Sequence, residues 1–108
     1  MACRLDPKRY VSSVVSRRLE ARVRSDFSPA EADAALRRLE TLNLALAEKQ
    51  SLERIQAAVV LLADGDPEKL ERCARLAEVD WRDVLVFSGL GNGDWPARID
   101  EELGPAQR

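Results

Sequence analysis

Four of the five prolines stand one or two residues behind an Asp or a Ser: Asp6-Pro7, Ser28-Pro29, Asp66-Pro67 and Asp94-Trp95-Pro96. A short polar side chain followed by proline is a helix start. The side-chain oxygen accepts an otherwise orphaned N–H, and proline's missing donor and fixed φ suit the first turn. Ser28-Pro29-Ala30-Glu31 adds a carboxylate that can reach back, completing a capping box. Asp80-Trp81-Arg82-Asp83 opens a further helix without proline, while Gly65, Gly89 and Gly104-Pro105 stand where helices should stop. Starts and stops this closely spaced leave room only for short to medium helices. The expected fold is all-α, a compact bundle of five to six helices.

Apolar spacing agrees. Ala32, Ala35, Leu36, Leu39, Leu42 and Leu46 line one face opposite Asp33, Arg37 and Glu40. Residues 52–63 are apolar on nearly every side after Glu53 and Arg54, the pattern of a central buried helix. Leu70, Cys73, Ala74 and Ala77 form the next stripe, and Trp95, Ile99 and Leu103 the last. Between them Trp81, Val84, Leu85 and Ser88 share a face, with Val86 and Phe87 as apolar flanks. Val59, Leu62, Leu70, Trp81, Leu85 and Ile99 are expected in the core, and Trp81 and Trp95 are expected to anchor their short helices to it.

The first segment is less regular. Asp6-Pro7 opens it, and Tyr10, Val11, Val14 and Val15 share a face, yet Arg18 and Arg22 fall on that same side. Residues 18–27 also alternate, with Leu19, Ala21, Val23 and Phe27 on one side, as a strand would. Nothing else in the chain reads as a strand to pair with it, so a helix is expected.

A single helical domain is expected over residues 1–104, with a basic segment at 1–25 and a disordered tail at 105–108. Hydrophobic residues make up 45% and charged residues 33%, a globular rather than a disordered balance. No apolar run approaches the ~20 residues of a membrane span, and no secretory signal is read at the N-terminus. Cys3 and Cys73 read as two reduced thiols. A soluble cytoplasmic protein is the expectation, and 14 Arg against 3 Lys suits a GC-rich bacterial genome.

Histidine is absent, which removes the commonest general base and the commonest metal ligand. The Ser and Cys residues therefore lack an activating imidazole, and no glycine-rich phosphate loop is present. The Asp64-Gly65-Asp66 and Asn92-Gly93-Asp94 turns lack the downstream Gly and Glu of a calcium loop. Asp80, Asp83 and Asp94 read as helix caps before they read as catalytic carboxylates. Neither an enzyme nor a metal or cofactor site is expected.

Charge is unevenly spread. Residues 1–25 carry seven bases and two acids, a net of +5, and the remainder carries ten bases and 17 acids, a net of −7. Arg17, Arg18, Arg22 and Arg24 could contact nucleic-acid phosphates or an acidic partner. Alternatively they pair with acids of the neighbouring helix such as Glu31, Asp33, Glu40 or Glu48, which the slightly acidic chain favours. A helix-turn-helix can be drawn through 51–79, but its second helix sets Glu68, Glu71 and Glu78 against Lys69, Arg72 and Arg75, a poor match to phosphates. Asn43 interrupts the stripe Leu36, Leu39, Leu46 either as a register-fixing Asn does in a coiled coil, which would make a homodimer through the first two helices with Leu36, Leu39 and Asn43 at the contact, or as an Asn hydrogen-bonded inside a monomeric bundle.

Glu53-Arg54, Leu62-Ala63-Asp64-Gly65-Asp66, Asp80-Trp81-Arg82-Asp83-Val84-Leu85-Val86 with Gly89-Leu90, and Asp94-Trp95-Pro96 together resemble a group of small bacterial proteins of unknown function. The resemblance covers the C-terminal half and implies no activity. The functional expectation is a non-enzymatic protein-interaction or scaffolding module, acting on a protein partner or on itself. The alternative is a nucleic-acid-binding accessory protein acting through the basic segment.

Overall fold

The structure, a computed structural model, describes residues 15–42 and 52–104. Among them it contains six α-helices and no strand. α1 (Arg17–Asp26) starts behind Ser16, whose Oγ accepts from Leu19 N at 3.4 Å. α2 (Pro29–Glu40) starts behind Ser28, whose Oγ accepts from Glu31 N at 3.4 Å. α3 (Leu52–Ala63) is followed by the turn at Gly65, and Asp66 then opens α4 (Pro67–Val79) by accepting from Glu68 N at 2.9 Å and Lys69 N at 3.4 Å. Asp80 serves two helices. Its N–H donates to Leu76 O to close α4, and its carboxylate accepts from Arg82 N to open α5 (Trp81–Ser88).

α6 (Trp95–Leu103) departs from the expected pattern, because Asp94 makes no side-chain cap. Its backbone carbonyl takes the amides of Ala97 and Arg98 instead. At the end of α5, Gly89 adopts φ +85° and Leu90 N reaches back to Leu85 O at 2.9 Å. Gly89 N donates to Val86 O at 3.3 Å, and the buried Leu90 side chain closes this Schellman-type end.

The helix start expected at Asp6-Pro7 lies outside the described residues. Ser16 is extended, at φ −64° and ψ 157°, and α1 begins only after it. Val15, Leu19, Val23 and Phe27 recur every fourth residue and are all buried, so the stretch that also alternates like a strand is helical up to Asp26.

α3 is the centre of the bundle. Ile55 to Val60 and Ala63 are buried, and the helix packs mainly against α4 and α5, with α1 and α6 crossing it elsewhere. α2 lies against α1 and α4. Of the expected core, Val59, Leu70, Leu85 and Ile99 are buried. Leu62 and Trp81 are corrections: they sit half-buried at the core's edge, as does Trp95. Cys73 is likewise half-buried, and its burial pushes the thiol above its ordinary pKa. No helix among the described residues is long and apolar enough to cross a membrane.

Candidate interaction surface

Three of the four arginines singled out on α1 are held inside the molecule. Arg18 forks onto Glu53, with Nε on Oε2 and Nη2 on Oε1 at 2.8 Å each. Its Nη1 donates to the Asp100 carboxylate and to Gly104 O. The side chain is 10% exposed. Glu53 holds the guanidinium above its usual pKa, and Arg18 in turn holds the Glu53 carboxyl below the usual carboxylate range. Ser16 Oγ assists by donating to Glu53 at 2.6 Å, so one hydroxyl both caps α1 and orients the acid.

Arg22 donates from Nε to Asp26 at 3.0–3.1 Å and from Nη1 to Glu102 O at 3.0 Å. Arg24 bridges Glu20 at 3.1 Å and Asp33 at 3.2 Å. Arg17 alone of the four is exposed. Of the acids expected to receive these side chains, Asp33 does so. Arg18 and Arg22 reach instead to α3 and α6, because α1 lies across those helices and its 18/22 edge faces them. This clasp was not legible, since its partners lie 35 to 86 residues away.

The described part of the leucine stripe is also turned inward. Leu36 and Leu39 are 0% and 1% exposed, packed in the chain's own core, so neither is displayed to a second copy. α2 ends at Glu40 with Thr41 as its cap, and Asn43 lies outside the described residues. The α3–turn–α4 hairpin is present, with Arg38 of α2 laid across α4 to pair with Glu71 at 2.8 Å and Glu78 at 3.0 Å. α4 therefore packs on α2 as an element of the bundle. Among the described residues no group of three or more His, Cys, Asp or Glu could hold a metal ion.

What the fold does display is the outer face of α5. Val86 and Phe87 are 67% and 66% exposed, next to the exposed Arg82 and Asp83. Val79, the last residue of α4, is 81% exposed just ahead of the same helix. The reading of Val86 and Phe87 as flanks of the buried stripe is therefore corrected. At 100° per residue, Val86 lies roughly 150° from the centre of the Trp81, Val84, Leu85, Ser88 face, so it cannot join that face in a single helix. That angle is the signal by which the sequence could have exposed the pair.

No protein-family model, curated protein or solved structure matches the chain, so the resemblance of its C-terminal half leads to no family.

Proposed function

We propose that the chain is a non-enzymatic protein-interaction module of the cytoplasm that offers the outer face of α5 to a protein partner. The observation that carries the reading is the pair Val86–Phe87, two large apolar side chains turned to water on a well-formed helix. Burying such a pair against a partner is favourable in proportion to the apolar area removed from water. An apolar centre edged by Arg and Asp has the composition of a docking face. A chain without histidine supports a non-catalytic role, and its two cysteines support a reducing compartment. Nucleic-acid binding through the basic segment draws less support, because Arg18, Arg22 and Arg24 already neutralise carboxylates of the same chain.

Placing a photoreactive benzoylphenylalanine at position 87, and in a control at the exposed position 72 of α4, tests the reading in living cells. A discrete adduct from position 87 that position 72 does not give is the expected outcome. No adduct from position 87 would overturn it.

A further inference from the structure

We infer that the partner is a second copy of this chain, docked α5 against α5 about a two-fold axis that runs along the helix. This rests on the reading of α5 as a docking face and names its occupant. The argument is the order of side chains around the helix. At 100° per residue, Arg82, Val86, Asp83 and Phe87 follow one another across roughly 140° of the circumference. Arg82 and Asp83 occupy the N-terminal level, and Val86 and Phe87 stand about one turn further on.

A two-fold axis along the helix exchanges left and right and keeps each level. Arg82 then meets Asp83 of the other copy on both sides of the axis, and Val86 meets Phe87 at the level above. An antiparallel pairing sets Arg82 over Val86 and Asp83 beside Phe87, which pairs charge with hydrocarbon. The face thus carries its own complement in one arrangement, as an isologous contact requires. Among the described residues no strong partner competes for these groups. Asp83 is exposed, and Arg82 bonds Asp80 at 3.3 Å with its side chain 74% exposed and its guanidinium carbon 5.9 Å from the Trp81 ring centre. An exposed pair of that kind is weak, and a guanidinium has donors left for a second carboxylate.

Two apolar side chains and two charged ones per copy make a small interface, so the dimer is a weak one, with a Kd on the order of 100 µM. Sedimentation velocity on the purified full chain from about 10 µM to about 1 mM reads it directly. The expected result is a mass that climbs from one chain toward two across that range. Phe87→Glu and the single reversals Arg82→Asp and Asp83→Arg each shift the curve at least about tenfold to higher concentration, with unchanged far-UV dichroism. The combined Arg82→Asp/Asp83→Arg swap moves it back toward the wild type, because each new charge again faces its opposite.

A wild-type chain that stays monomeric at about 1 mM overturns the self-pairing. So does a dimer indifferent to Phe87→Glu, or a double swap as weak as the single reversals. A monomer whose position 87 still crosslinks to a different protein in cells overturns the self-pairing alone. A monomer with no crosslink overturns the docking face as well.

Discussion

At the scale of single residues, the Arg18–Glu53 pair is the ion pair whose loss the fold should feel most. Arg18 is 10% exposed and the Glu53 side chain 23%, so removing one partner leaves the other charge half out of water. Arg18→Met is expected to lower the unfolding free energy by about 2–3 kcal/mol, and Arg18→Met/Glu53→Met by less than the sum of the single changes. Urea titration of the four chains closes that cycle, and additive losses would show that the two side chains do not act together. The same pair sets a pH dependence. Glu53 titrates lower in the folded chain than unfolded, chiefly through its hydrogen bonds from Arg18, so its contribution is present above the ordinary carboxylate pKa. It is lost as pH falls from about 4.5 through the lowered folded value. Glu53→Gln should flatten that acid limb, and an acid limb as steep as the wild type's would assign it to other carboxylates. Arg18 was visible in the sequence only as an intruder on an apolar face. Its partner was not visible, because local spacing carries no information about a residue 35 positions away.

At the scale of elements, the helix ends were the most legible part of the chain, because capping is a local hydrogen-bond problem. Ser28, Asp66 and Asp80 solve it as their sequence contexts imply. Ser16 was missed because the third helical position behind it is Leu19, so no capping box advertises the start. Asp94 misled because a backbone carbonyl took the role expected of its side chain. Gly65 shows an end chosen for two reasons at once. Its φ is +79°, and a Cβ there would stand 2.8 Å from the carbonyl oxygen of Asp26 at the end of α1. Backbone cannot move aside as a flexible side chain can. Gly65→Ala should therefore cost about 2–3 kcal/mol, more than the roughly 1 kcal/mol that φ alone would exact. Thermal unfolding measures this, and a loss of only about 1 kcal/mol would mean that α1 and the turn separate without penalty. Leu19→Ala, by contrast, acts through the core: Leu19 is 0% exposed, and a loss of about 2–4 kcal/mol is expected in the same measurement.

At the scale of the whole molecule, the bundle is not equally strong throughout. α3, α4 and α5 pack mutually around Val59, Leu70 and Leu85, whereas α6 rests on α1 and α3 and buries only Ile99 completely. Trp95 and Leu103 pack half-buried against the core beside it, and the rest of its seat is made of charge. Arg18 holds Asp100 and the Gly104 carbonyl, Arg22 holds Glu102, and the Arg54 guanidinium lies 4.9 Å over the Trp95 ring. The acids at the α6 end are about half exposed, so salt reaches them: the screening length shrinks from about 10 Å at 0.1 M to about 3 Å at 1 M. An element fixed mainly by screened charges opens before an element fixed by packed apolar side chains. Native-state hydrogen exchange should therefore show the α6 amides exchanging faster at 1 M than at 0.1 M salt, while those of α3 hold their protection. Arg18→Met/Arg22→Met should reproduce the high-salt pattern at low salt, because it removes the clasp that salt only weakens. If α6 instead exchanges in step with α3 under both conditions, its apolar contacts through Trp95, Ile99 and Leu103 bind it to the cooperative core and the arginines serve α1 rather than α6.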